Sequence, residues 1–160
     1  MTLDEVIAAA IDPALALLPA QMDSPDARVL LLAIGLQESG FQTRQQLGGG
    51  PAHGFWEFEP GGVRGVYQHA ASRYWLAVLC KARGCEFTVR AIYRRLLTDD
   101  VLAAGIARLL IFTDPKRLPT DAAGGWALYI RTWRPGEPRP KTWAGFWLLA
   151  STTVNGAADE

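Results

Sequence analysis

Between Ser24 and Gly40 the chain reads SPDARVLLLAIGLQESG, and every residue from Val29 to Leu36 is apolar. Such a run has to be withdrawn from water on all sides. Ser24 as an N-cap and Pro25 at the first helical position predict a buried helix from 25 to about 38. Gly40 is placed to end it in the left-handed conformation that glycine tolerates. Glu38 therefore stands at the end of an apolar helix, where a carboxylate loses several kcal/mol on leaving water unless it is paired or protonated. The negative pole of the helix dipole and the apolar neighbours both disfavour ionisation, so its pKa should rise. A carboxylic acid kept protonated near neutral pH is what a glycosidase uses to protonate the leaving oxygen of a glycosidic bond. The plain alternative is a helix-end glutamate that turns into solvent.

At 160 residues the chain has the size of one domain that can bury a core without metals or disulfides. Helical spacing recurs along most of it, which predicts a mainly α fold. Thr2 and Glu5 resemble a capping box opening a helix from about 3 to 11, and Pro13 starts a second short one. Further helices are expected at about 62 to 70, 72 to 83, 88 to 97, 99 to 112, 121 to 133 and 141 to 154, with Thr88 and Thr98 or Asp99 as caps. The tail, NGAADE, is expected to fray.

Lys plus Arg and Asp plus Glu number 16 each, so no net field draws the protein to nucleic acid or to an anionic membrane. Arg90, Arg94 and Arg95 read as a solvated helix face. The longest apolar stretches, VLLLAIGL and WAGFWLLA, are shorter than a membrane span requires. The opening MTLDEVIAAAID begins acidic and lacks the basic, apolar and small-residue order of a signal peptide, so nothing in it marks export. Cys80 and Cys85, in CKARGC, read as free thiols, Cys80 within an apolar pattern that belongs to the core.

From 44 to 62 the text changes to RQQLGGGPAHGFWEFEPGG, whose glycines and prolines cannot sustain a helix, so a small irregular or β region is expected at about 44–60. Gly48 to Gly50 lacks the Lys and Ser or Thr of a phosphate loop. Phe55, Trp56 and Phe58 sit beside Glu57 and Glu59, and aromatic faces suit the apolar faces of sugar rings. Trp56 has two readings, a cleft wall or core. Trp126 and Tyr129 would share a helix face, with Trp133 next along it. Ser39 is expected to brace Glu38 by a hydrogen bond, and His53 to lie on an exposed loop or line the cleft.

Together these residues resemble the lysozyme-like superfamily of lytic transglycosylases and goose-type lysozymes. The elements of the resemblance are Glu38-Ser39 closing an apolar helix, Gly54-Phe55-Trp56-Glu57-Phe58-Glu59-Pro60 some sixteen residues on, and Ala127-Leu128-Tyr129-Ile130 on a later helix. They span about residues 25 to 135. The resemblance implies a single lysozyme-like domain over 1–160 that cleaves the β-1,4 bond between N-acetylmuramic acid and N-acetylglucosamine in peptidoglycan glycan strands. Glu38 would be the general acid and base, with Ser39, Trp56, Glu57 and Tyr129 on the substrate side and no metal or cofactor required. It further implies a phage enzyme, an endolysin or a virion-borne lysin, made in the host cytoplasm and acting on the wall; a monomer is expected. Two positions depart from the family pattern: Glu57 stands where Gln is usual and Ile130 where Asn follows the Tyr. Glu57 is thereby a candidate second carboxylate, and hydrolysis by water stands beside formation of an anhydro product. The departures also admit a lysozyme-like domain that has lost activity and serves as a structural or binding part of a virion or secretion machine.

Overall fold

A computed structural model describes residues 1–156 and is mainly helical, with no strand among the described residues. Among the described residues nine α-helices follow in order: α1 Leu3–Val6, α2 Asp12–Ala16, α3 Pro25–Glu38, α4 Pro60–Gln68, α5 Arg73–Ala82, α6 Val89–Arg95, α7 Asp100–Phe112, α8 Ala122–Trp133 and α9 Pro140–Gly156. Each boundary lies within a few residues of its predicted place. No described helix is long and apolar enough to cross a membrane.

The caps explain the boundaries. Ser24 Oγ accepts from the Ala27 amide at 3.1 Å and Thr88 Oγ1 from Ala91 at 3.2 Å. Of the two candidates before α7 it is Asp99 that caps, accepting from the Leu102 amide at 3.0 Å. Gly40 ends α3 with φ +61°, its amide reaching back to Gly35 O at 3.1 Å, as a left-handed C-terminal residue does. The first predicted helix and the one expected at Pro13 form a single run. A wide π-helical segment, Ile7–Ile11, joins α1 to α2. Pro13 has no N–H to return to the preceding turn, and widening that turn accommodates the missing bond. Asn155 and Gly156, which were expected to fray, continue α9, and the rest of the tail lies outside the described residues.

Helix α3 runs along α9 on one side and meets α7 on another, so its Leu30, Leu31, Leu32 and Ile34 are fully buried. Each such side chain contributes about 1.5–3 kcal/mol through removal from water. Helix α7 packs against the N-terminal π segment, α2, α4 and α5. Its interior Arg108 is 3 % exposed and donates from Nε to Met22 O at 2.7 Å, which fastens the chain ahead of α3. Asp99, also buried, holds Arg83 at 3.0 Å and Arg95 at 3.7 Å, tying α5 and α6 to the start of α7. Helices α8 and α9 come together because Gly125 leaves room for the Trp147 ring; a Cβ there would lie 2.2 Å from it. Cys80 and Cys85 are both free thiols, as expected; Cys80 lies in the core, as its apolar pattern predicts, and Cys85 is buried too.

The segment 44–59 is held by two isolated antiparallel bridges, Gln45 to His53 and His53 to Phe58, around a 3₁₀ turn Leu47–Gly49. It is the irregular region expected there, and it covers the C-terminal end of α3.

Candidate active site

Glu38 is the last residue of α3 and partly buried, and its Oε1 accepts from the Tyr129 hydroxyl at 2.5 Å. Tyr129 is brought there by α8 and is 3 % exposed. Its ring stacks on Trp143 of α9, centroids 5.4 Å apart and planes 9° from parallel, and Trp126 completes a triangle of rings, 5.4 Å from Tyr129 and 5.7 Å from Trp143. Three helices thus fix one hydrogen bond, and Tyr129 cannot withdraw without dismantling an aromatic cluster.

The hairpin His53–Phe58 supplies the second carboxyl. Its ends exchange backbone bonds, His53 N to Phe58 O at 2.9 Å and Phe58 N to His53 O at 3.0 Å. The two residues at its tip point inward. Phe55 and Trp56 are fully buried, both in edge contact with Phe41, and Trp56 Nε1 donates to Leu31 O on α3 at 2.8 Å. Ser39 Oγ donates to Phe55 O at 2.7 Å, and Trp133 Nε1 donates to Trp56 O at 3.0 Å. With two successive carbonyls pinned, Glu57 is forced onto the cleft side at φ +48°, a left-handed conformation that costs a non-glycine residue about 1–2 kcal/mol. Such strain persists where the surroundings over-determine the backbone, and it concentrates at functional sites.

A strap from the α8–α9 connection closes the other edge. Arg139 Nη2 donates to Gln37 O at 2.6 Å while the Gln37 amide donates to Arg139 O at 3.0 Å, and Thr142 Oγ1 donates to Gln37 Oε1 at 2.9 Å. The guanidinium consequently lies close enough to Glu38 and Glu57 to act on both charges.

Electrostatically, burial is the largest influence on Glu38 and moves its pKa from 4.5 up to about 7. The Tyr129 hydrogen bond and the Arg139 charge oppose that rise, and the Glu57 carboxyl adds to it. Glu57 is raised as well, chiefly by burial, with the neighbouring Glu38 side chain and the Arg139 charge opposing the rise. Tyr129 is pushed well above the usual phenol range by burial and by the Glu38 charge, so it stays a donor at any working pH. A carboxyl poised near pH 7 can give a proton to a leaving oxygen and take one back from an incoming hydroxyl.

The three side chains open into a cleft of ≈570 Å³. Phe58 and Trp133, in edge contact at 5.8 Å, form apolar wall; Glu59, Arg134 and Arg139 form its polar rim.

Of the residues singled out from sequence, Glu38, Glu57 and Tyr129 meet in one cleft, and Trp133 lines it. Trp56 and Ser39 do not reach it. Trp56 is 0 % exposed and anchored to α3, so it shapes the hairpin and has no face to offer a sugar. Ser39 spends its hydroxyl on Phe55 O, not on the Glu38 carboxyl, and so places the neighbour of Glu57. His53 stacks on Tyr93 at 3.8 Å and donates from Nδ1 to Tyr93 O at 2.9 Å, away from the cleft. Arg139 and Trp143 escaped sequence reading. Their contacts with Gln37 and Tyr129 join distant parts of the chain, and nothing in RPGEPRPKTW signals them locally. No family model, curated protein or solved structure matches the chain.

Proposed function

We propose that the protein is a lysozyme-like, peptidoglycan-cleaving enzyme whose general acid and base is Glu38. The observation that carries this reading is a partly buried carboxyl, pKa moved to about 7, bonded to the Tyr129 hydroxyl and open to a cleft walled by aromatic residues. In the proposed reaction protonated Glu38 gives its proton to the bridging oxygen as the bond from that oxygen to the anomeric carbon breaks. The resulting carboxylate, steadied by the Tyr129 hydroxyl and the Arg139 charge, then takes a proton from the hydroxyl that attacks the anomeric carbon. That hydroxyl belongs either to the muramic residue itself, leaving an anhydro end, or to water. Two-carboxylate glycosidases separate their carboxyls by roughly 5–5.5 Å or 6.5–9.5 Å to admit a sugar or a water. Glu57 acts on Glu38 through its charge, which raises the Glu38 pKa, and we assign it a tuning role and not that of an independent nucleophile. This favours the one-acid, anhydro-forming route.

The test is digestion of purified peptidoglycan by wild type and Glu38→Gln, with mass spectrometry of the released fragments. Anhydro-muramyl products that vanish in the variant uphold the preferred route; products heavier by one water convert the reading to a muramidase. Equal and negligible release by both proteins overturns it in favour of an inactive structural or binding role.

A further inference from the structure

The cleft does not stop at Trp133. A second cavity of ≈700 Å³ shares Gly61, Gly62, Leu110, Thr132, Trp133 and Arg134 with the first, so the two form one elongated groove. Its far half lies between α4 and the chain that follows α7, and its charge is the reverse of the near half. The near half presents Glu38, Glu57, Glu59 and Glu137 against Arg134 and Arg139. The far half presents Lys116, Arg131 and Arg134, with His69 on its edge, against Asp114 alone. That one carboxylate is already consumed, since it pairs with Arg131 and accepts from the Lys116 amide at 2.9 Å. Lys116 and Arg134 have no ion-pair partner among the described residues. The α4 side of the groove is bare backbone at Gly61 and Gly65, where an added Cβ would meet nothing within 4 Å, so a ligand can lie close to it.

We propose that this annex binds a carboxylate carried as a side branch of the strand that crosses Glu38, and that it makes the protein prefer acid-substituted glycans to neutral ones. The strand itself rests on the peptidoglycan reading; the annex and its charge stand independently of it. Two free cations facing a cavity attract a carboxylate through contacts that are individually modest and weaken with salt. The volume, within the usual range for small-ligand sites, admits a short peptide as readily as a single acid group. Each muramic residue offers one of the two: a free lactyl carboxylate where no peptide is attached, or, where that carboxyl is the amide link to a stem, the carboxylates of the stem.

The experiment measures binding, so that it is independent of turnover. Calorimetry on the full chain carrying Glu38→Gln would use three soluble probes of equal length: a peptide-bearing glycan fragment, the same fragment stripped of peptide, and a neutral N-acetylglucosamine oligomer. At low salt one or both of the acid-bearing fragments should bind about 5-fold more tightly than the neutral oligomer, and 0.3 M NaCl should erase most of that preference. Adding Lys116→Glu should abolish the preference while the circular-dichroism spectrum stays unchanged, because Lys116 is exposed and packs no core. Preference confined to the peptide-bearing probe assigns the branch to the stem, preference confined to the stripped probe assigns it to the freed lactyl carboxylate, and preference shared by both means that the annex takes either carboxylate; all three uphold the proposal. Equal affinity for all three probes, or binding to none, overturns it. Failure of wild type to cut peptidoglycan overturns the catalytic reading alone.

Discussion

Helices α3 and α7 each bury an apolar run, and each carries one charge in its C-terminal half, Glu38 in the first and Arg108 in the second. The desolvation penalty is common to both, and the protein meets it in opposite ways. Arg108 is walled in, its Nε bonded to Met22 O and its Nη1 buried without a partner. Burial draws its pKa down to about 10, which still leaves it charged at neutral pH. Neither the cleft nor the annex touches it. Glu38 instead holds a proton near neutral pH, has a single donor in Tyr129 and faces open volume. A charge in an apolar helix thus marks a cost in either case. A cavity in front of it and groups that tune its proton are what separate a reactive carboxyl from a structural clasp.

The largest expected effect tests the structural half of that contrast. Arg108→Ala removes a charge-assisted bond and leaves a void, so urea unfolding should show a loss of about 3 kcal/mol. Arg108→Met fills the space without a charge to desolvate and should stay within about 1 kcal/mol of wild type. A large loss in both variants would give Arg108 a role that its contacts do not explain. Next comes Glu38. Its folded pKa of about 7 lies above its ordinary 4.5, so the folded state holds the proton more tightly. That stabilisation is complete below about pH 4.5 and is lost as the pH rises through 7. Glu38→Gln, which cannot ionise, should therefore be more stable than wild type at pH 8, by about 2 kcal/mol once residual exposure is discounted, and equal to it at pH 4. A stability difference that does not change with pH would place Glu38 in solvent and remove its kinship with a catalytic acid.

The same contrast shows what sequence could and could not disclose. The apolar run before Glu38, its cap at Ser24 and its stop at Gly40 are local signals, and α3 sits where they put it. The mainly helical fold follows from the same kind of spacing. By that logic Arg108, inside VLAAGIARLLIF, is as anomalous as Glu38, yet only its bond to Met22, 86 residues away, explains it. The inward turn of Trp56 was equally out of reach. Whether an aromatic beside an acid faces cleft or core depends on a carbonyl of another helix, here Leu31 O. Arg139 reaches the site through Gln37 for the same reason. Local chemistry is readable from sequence; which distant backbone groups it will meet is not.

Two smaller effects sharpen the tuning of Glu38. The Tyr129 bond holds the carboxyl pKa down, so Tyr129→Phe should raise it, moving the alkaline limb of the pH-rate profile upward while kcat falls about 10-fold. Stacking on Trp143 is kept in this variant, so thermal unfolding should show a stability within about 1 kcal/mol of wild type.

The last and smallest effect separates strain from charge at Glu57. Its carboxyl raises the Glu38 pKa, so both Glu57→Gln and Glu57→Gly should move the alkaline limb downward, opposite to Tyr129→Phe. Only the glycine also relieves φ +48°. After allowance for the greater freedom of unfolded glycine, that relief should add about 0.5–1 kcal/mol of stability, which the glutamine variant lacks. Should the glutamine variant gain as much as the glycine, the contact between two carboxyls and not the backbone is what costs the fold at this position. The hairpin would then be a relaxed scaffold, and the tension in the site would reside wholly in the repulsion between the Glu38 and Glu57 carboxylates.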